Sequence, residues 1–341
     1  MSAALSEPLP RSPRLAVELV APEALAAELA RPDTLAVFGF GPEAPTRDAV
    51  GDARYLRVPL APLDQARLEV WRGAGPASAG FDGGIAHADD GELQFGAIEL
   101  RDRDADDMLA ASERAYAQAS AFWRGSGFPH LLRIWNYFDE ITWGEGDDER
   151  YRQFCIGRVR GLGQVDTAAL PAATAIGSND GGRVLQVYWL AARRPGTPLE
   201  NPRQTSAWRY PREYGPQPPS FARALLPPPG ALPLFVSGTA SIVGHASQHA
   251  GSLAPQLDET LANLDSLLDA ARERRPGLPA ALDASTRLKV YVRDAAQAAA
   301  VERLLRAHLG DAVPWLLLHG DVCRRELQVE IEGMHGVIMD A

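Results

Sequence analysis

Near the end of the chain, Leu327, Val329 and Ile331 alternate with Gln328, Glu330 and Glu332. A period of two predicts a β-strand with one apolar and one polar face. From the N-terminus, the same reading predicts strands over Leu15–Val20, Thr34–Phe40 and Leu93–Leu100, after an unstructured lead at residues 1–13. A helix follows over Asp104–Trp123, where Met108, Ala111, Ala115, Ala119 and Phe122 recur at helical spacing behind an acidic first turn. Leu131–Phe138 reads as a buried strand, and Asp147–Gly161 as a second helix with Tyr151, Phe154 and Val159 turned inward. Two strands, Pro171–Ile176 and Arg183–Ala191, come next. Further on, Leu234–Ile242 is a strand with a turn or bulge at Ser237-Gly238-Thr239. A helix over Leu257–Ala271 sets Leu257, Leu261, Leu264 and Leu268 on one face. Leu288–Val292 is a strand, and Asp294 is expected to cap a helix bearing Val301, Leu304, Leu305 and Leu309. Trp315–Leu318 and Leu327–Ile331 are the last strands.

These elements repeat. In each half the order is strand, helix, strand, helix, strand, strand, which predicts an α+β fold of two tandem β-α-β-α-β-β domains, each a mixed sheet with its helices on one face. The expected divisions are 14–195, a connector at 196–230, and 231–341. Aligning the halves sets Gln186, in Val184-Leu185-Gln186-Val187-Tyr188, against Glu330. One copy carries an acid and the other an amide that cannot titrate, so proton chemistry belongs to the second half alone. Glu330 itself has two readings: the wet face of an antiparallel strand, or a carboxylic acid held in a cleft.

Composition narrows the function. The 341 residues are 46% hydrophobic, enough for sizeable cores, and no apolar run reaches membrane-spanning length. Met1–Leu15 is polar and Pro-rich without a signal-peptide core, and Cys155 and Cys323 make no disulfide framework, so a cytoplasmic protein is expected. The formal net charge of -10 argues against nucleic acid or an acidic membrane as partner. Positive charge is almost entirely arginine. The single lysine, Lys289, falls inside a strand, which leaves Schiff-base chemistry and phosphate loops with almost no candidate residue. His245 and His249 stand four apart, but further ligands at useful spacing are missing, so no metal is expected. Ser237 and Thr239 have no nearby base in the sequence and are read as shaping a backbone turn.

The stretch from Arg194 to Gly230 breaks the pattern. Its prolines preclude long regular elements, while Arg203, Arg209, Arg212 and Arg223 alternate with Trp208, Tyr210 and Tyr214. It is either a spacer or an ordered loop whose arginines receive carboxylates.

The second half resembles the RidA (YjgF) family over about 105 residues. The resemblance lies in Phe235-Val236-Ser237-Gly238, the Leu257–Leu268 helix, Leu288-Lys289-Val290-Tyr291-Val292-Arg293-Asp294 and Val329-Glu330-Ile331-Glu332-Gly333. The whole chain resembles the chorismatases, a two-domain family on this fold. That resemblance rests on Glu149-Arg150-Tyr151-Arg152-Gln153-Phe154-Cys155, the Arg203–Pro216 loop with Ser220-Phe221-Ala222-Arg223, the run from Ser237 to His245, and Asp321-Val322-Cys323-Arg324-Arg325. RidA imine deaminases hold a substrate carboxylate with an arginine near the start of the penultimate strand, where this chain has Trp315.

The chorismatase resemblance implies cleavage of the enol ether of chorismate, with Glu330 as proton donor and Arg150, Tyr151, Arg203, Tyr214 and Arg223 around the substrate. It implies no cofactor. Gly238 and Ala240 would border the reacting group. Cys323 is by base rate a buried inert thiol, and by resemblance a product-directing position. It favours pyruvate and 3-hydroxybenzoate, with 4-hydroxybenzoate as a further product, whereas Ala240 favours the diol formed by water addition. An imine deaminase or a non-catalytic ligand-binding protein is the reading outside this class. A monomer is expected, because a duplicated chain supplies to itself contacts that relatives make between subunits.

Overall fold

The computed structural model describes residues 12–101 and 107–338. The expected lead at 1–13 lies outside the described residues as far as residue 11, as does the start of the helix expected from Asp104. Two of the three large sheets are the predicted units. The first of these runs through β5 (Ser78–Asp82), β6 (Ile85–Asp89), β7 (Leu93–Arg101), α3 (Met108–Gly125), β8 (His130–Asp139), α4 (Arg150–Leu162), β9 (Ala172–Ser178) and β10 (Val184–Ala192). The next contains β11 (Thr197–Leu199), β12 (Ala224–Leu226), β13 (Leu234–Ala240), α5 (Leu253–Arg274), β16 (Thr286–Val292), α6 (Ala298–Leu309), β17 (Trp315–His319) and β18 (Val329–His335). A two-stranded ribbon, β14 (Ile242–Val243) and β15 (Ala246–Ser247), follows β13.

Strand orders match element for element. One sheet is β5-β6-β7-β10-β8-β9 and the other β11-β12-β13-β18-β16-β17. In each, the pair at the far edge, β8 with β9 or β16 with β17, is parallel and its neighbours are antiparallel. Gln186 pairs with Tyr137 and Glu330 with Tyr291, so the two residues occupy equivalent positions. The bulge at Ser237-Gly238-Thr239 is present: the β13–β18 register shifts between Val236 and Thr239. Asp107 caps α3 by accepting from the Ala110 amide. Asp294 caps a 3-10 turn, Ala295–Gln297, that leads into α6, rather than α6 directly.

Ahead of these units the chain builds a smaller sheet from β1 (Ala16–Val20), α1 (Leu25–Ala30), β2 (Thr34–Phe40), α2 (Arg47–Val50), β3 (Tyr55–Val58) and β4 (Leu68–Arg72). Its order, β1-β4-β2-β3 with β2 and β3 parallel, repeats the four-strand arrangement of the other two sheets. Each sheet carries helices on one face: α1 over the first, α3 and α4 over the second, α5 and α6 over the third. The opposite faces meet in one core that includes Phe38, Trp71, Phe95, Trp135, Tyr188, Phe235 and Tyr291. Backbone bonds tie the sheets together, Gly177 to Asp321 between the second and third and Leu63 to Leu317 between the first and third.

Helix α4 lies close against α3 because it presents glycine at the contact. A Cβ on Gly157 would stand 2.1 Å from Ser112 Oγ, and one on Gly161 2.4 Å from the Glu113 carbonyl oxygen. Close approach turns the stripe Tyr151, Phe154, Cys155 and Arg158, at i, i+3, i+4 and i+7, toward the seam with the third sheet. No helix among the described residues is long and apolar enough to cross a membrane.

Candidate active site

A cavity of about 350 Å3 opens where α4 and β9 of the second sheet face β13 and β18 of the third. Glu330 lies in its wall, only 6% exposed. The bulge makes room for it, since a Cβ on Gly238 would stand 1.9 Å from Glu330 Oε1. Burial, reinforced by the charge of Glu332, pushes the Glu330 carboxyl up to about 8, against the pull of Arg133, Arg223 and Arg293. At neutral pH it holds a proton. Of the two sequence readings of this residue, the cleft acid describes its surroundings.

Two residues along, Glu332 is equally buried but oppositely poised. Burial works against its charge, yet Arg133 and Lys289 hold it below the ordinary glutamate value. Arg133 Nη2 donates to Glu332 Oε2 at 2.7 Å, Trp135 Nε1 donates to Oε1 at 2.6 Å, and Lys289 Nζ lies 3.5 Å from Oε1. Lys289 also pairs with Glu69 at 3.0 Å. Glu69, Arg133 and Glu332 come one from each sheet, so this charge cluster sits where all three meet. Two neighbouring carboxyl groups pushed to opposite protonation states form the division that acid catalysis needs.

The bulge is secured from the neighbouring sheet. Thr174 Oγ1 accepts from the Gly238 amide at 3.0 Å and from Arg133 Nη2 at 2.5 Å. Ser237 Oγ donates to the Ala222 carbonyl at 2.6 Å and accepts from the Ala173 amide at 2.9 Å, and Thr239 Oγ1 donates to the Ser237 carbonyl at 2.9 Å. Both hydroxyls therefore shape the backbone, as the sequence suggests.

Tyr151, Tyr214, Arg223, Gly238, Ala240, Cys323 and Glu330 all line the cavity. Ala240 is the cross-strand partner of Glu330. Cys323 is half-buried beside Ala240 and Ile242; burial, then the Glu330 charge, pushes its thiol up to about 12, so it stays neutral. Burial likewise pushes the Cys155 thiol up to about 12 on the opposite wall. Arg223 is 3% exposed; its Nη2 donates to Tyr210 Oη at 2.6 Å and to the Thr205 carbonyl at 2.9 Å, while its Nε has no partner among the described residues.

Two predicted residues are not brought to the cavity. Arg150 is buried against Asp139, donating from Nη2 to Oδ1 at 2.9 Å. Arg203 pairs with Glu259 on α5, away from the cavity wall. Arg158 lines the cavity where the sequence reading turned Val159 inward. It is 4% exposed, stacks over Tyr116 at 5.2 Å and leaves Nε without a partner among the described residues. Its signal was available, because it completes the stripe begun by Tyr151, Phe154 and Cys155. Arg324, 4.0 Å above the Tyr214 ring, and Tyr210 are further wall residues the sequence reading passed over.

The segment from Arg194 to Gly230 is an ordered wall. It folds into 3-10 turns at Ala207–Arg209 and Arg212–Tyr214, and Arg212 anchors it by donating to both carboxylate oxygens of Asp147 at 2.9 and 2.5 Å. His245 Nδ1 lies 3.4 Å from Tyr214 Oη and His249 Nε2 3.3 Å from Glu259. Among the described residues, no three His, Cys, Asp or Glu side chains converge as metal ligands would. Trp315 packs into the core beneath α5 and α6, so that position faces away from the cavity.

A family model described as "Chorismatase FkbO/Hyg5-like, N-terminal" matches residues 69–191. A chorismatase of Streptomyces hygroscopicus is 39% identical over 278 residues, 80% of either chain. The chain belongs to the chorismatase family. A 3-hydroxybenzoate synthase of Streptomyces hygroscopicus is 35% identical over 288 residues, covering 81% of this chain and 83% of that protein. A chorismatase crystal structure superposes with a TM-score of 0.84 at 32% identity, over 96% of this chain and all of the other.

Proposed function

We propose that this chorismatase cleaves the enol ether of chorismate to pyruvate and 3-hydroxybenzoate, with Glu330 as the general acid. The observation that carries this reading is the buried, protonated carboxyl of Glu330 in the wall of a cavity edged with arginine. Protonating the methylene carbon of an enol ether is slow in water and requires a positioned acid still protonated at neutral pH. Glu330 supplies that proton, the electron pair of the double bond forms the new C–H bond, and an oxocarbenium ion results, stabilised by the ether oxygen. The neighbouring ring hydroxyl then attacks the carbon that bears the ether; the carbon–ether bond breaks, its electron pair closes the pyruvate carbonyl, and the hydroxyl proton returns to Glu330. The oxygen now bridges both ring carbons, and breaking its original bond with transfer of a ring proton to that oxygen gives aromatic 3-hydroxybenzoate. The atoms of chorismate are then divided between the two products with no water consumed.

Chorismate carries two carboxylates. Arg223 and Arg158, each with an unpartnered Nε in the cavity wall, are the residues we assign to them. Tyr151 and Tyr214 flank the ring, Gly238 leaves space for Glu330, and the neutral Cys323 keeps water from the cation. Arg150 serves by orienting the start of α4 through Asp139. Arg203 holds the loop to α5. Ala240, directly across from Glu330, favours a second reading in which a water molecule captures the cation and the diol is released.

We also assign residues 14–195, which hold the first two sheets, and 231–341 as the N-terminal and C-terminal domains, with 196–230 as a substrate loop that lends β11 and β12 to the C-terminal sheet, and a cytoplasmic monomer as the working state. Incubation with chorismate, with released pyruvate reduced by lactate dehydrogenase and the second product separated by chromatography, tests the function. Absence of pyruvate would refute it, and a non-aromatic product would favour the diol.

A further inference from the structure

A second cavity, of about 250 Å3, lies beside the first, and Arg158 and Ser220 belong to the walls of both. The segment 164–171 borders it, and its accessible apolar surface comes from Leu131, Leu162 and Val165, while Tyr116 and Trp123 are buried. The functional reading above uses none of this space. It is smaller than the roughly 300–1,000 Å3 typical of sites for drug-sized ligands, so it suits a single ring or less.

Its shared wall is unsatisfied. Arg158 is 4% exposed and Ser220 5% exposed, yet Arg158 Nε and Ser220 Oγ have no protein partner among the described residues. Buried donors of this kind are costly unless something fills their valence. The carboxylate of Asp166 at the cavity is engaged by the Ala168 amide at 2.9 Å. Arg124 adds a second positive group to the lining, with its Nη2 donating to the Leu162 carbonyl at 3.0 Å. The chemistry on offer is an aliphatic wall with a buried guanidinium and hydroxyl.

We infer that this second cavity binds a small aromatic monocarboxylate, its ring against Leu131 and Leu162 and its carboxylate on Arg158 and Ser220. The inference rests on the proposed function in one respect: the enzyme's own hydroxybenzoate product belongs to this ligand class. Because one guanidinium serves both cavities, an occupant of the second withdraws donors from the substrate in the first. Binding at the two sites is therefore negatively coupled, and by linkage the effect is reciprocal.

Calorimetric titration of the full-length protein with 3-fluorobenzoate, without chorismate, tests this directly. Val165→Trp and Ala169→Trp each fill the second cavity from its bordering segment and leave the first cavity's wall intact. The wild type is expected to bind two equivalents and both variants one. A single wild-type equivalent that both variants abolish would also place the ligand in the second cavity. One equivalent, or two, untouched by either variant would overturn the inference. Failure of the proposed function is read separately, as no pyruvate from chorismate.

Discussion

Gly238 and Glu330 face each other across the bulge between β13 and β18, and the carboxyl oxygen occupies the space a Cβ on Gly238 would need, 1.9 Å from its position. Gly238→Ala should therefore displace the acid rather than merely crowd a wall. Forcing a methyl into a packed site costs roughly 1–3 kcal/mol. Here the larger effect falls on kcat, because the proton donor loses its aim. A drop of about 10²-fold or more, approaching loss of the general acid, is expected. Steady-state pyruvate release together with thermal unfolding separates the two effects; wild-type kcat in a folded variant would contradict it.

Glu330→Gln keeps the shape of the side chain and removes its acid. Pyruvate release should fall by about 10²–10⁴-fold. In the wild type the active form is the protonated one, with the carboxyl raised to about 8. Activity should hold below that value and fall as pH rises through it. The raised value also favours the folded state in acid, a contribution full below the ordinary glutamate value of 4.5 and lost progressively as pH rises to about 8. A kcat/KM profile flat from pH 6 to about 10 would exclude Glu330 as the titrating acid.

Glu332 is not a bystander. From sequence it lies further along the strand, about 7 Å from Glu330, where substitution would cost little. In the fold it neutralises Arg133 and Lys289. Glu332→Gln leaves these buried cations with fewer counter-charges, and breaking a buried pair costs about 3–5 kcal/mol. It also removes the charge that helps keep Glu330 protonated. The melting temperature should drop, and the alkaline limb of the pH–rate profile should move to lower pH. An unchanged limb would show that the two carboxyl groups do not communicate.

The arginines sort by position. Arg223→Lys and Arg158→Lys should raise KM for chorismate about tenfold or more, since lysine cannot reproduce a guanidinium fork. Arg203, with its side chain 37% exposed and paired to Glu259, should tolerate lysine with a change below about twofold. Wild-type KM in both Arg203→Lys and Arg223→Lys would return the loop to the role of a spacer.

Cys323→Ala tests product choice. With the thiol held neutral, removing it changes space and water access rather than nucleophilicity. The aromatic share should fall and the diol share rise, with total pyruvate less affected. A wild-type-like product ratio in the variant, read by chromatography, would remove Cys323 from that choice.

The sequence alone determined the elements that bury one face. Alternation marked β18, four leucines at helical spacing marked α5, and the halves repeated strongly enough to align Gln186 with Glu330. It also located the bulge, because Ser-Gly-Thr inside an apolar strand signals a local break. The smaller first sheet was only partly legible. Its helices, Leu25–Ala30 and Arg47–Val50, are too short to display a helical period, so its kinship with the other two appears only in strand order. Tertiary structure alone decided which arginines reach the cavity. Arg150 and Arg158 lie on one helix, yet one is consumed by Asp139 and the other faces the cleft. The pairing of Arg133 with Glu332 spans 199 residues. A pattern within an element tells which face is buried, but not what it is buried against. The protonation of Glu330 depends first on its burial, which is complete only when the sheets close on a common core, and then on the balance between Glu332 on its own strand and arginines that include Arg133 of the second sheet.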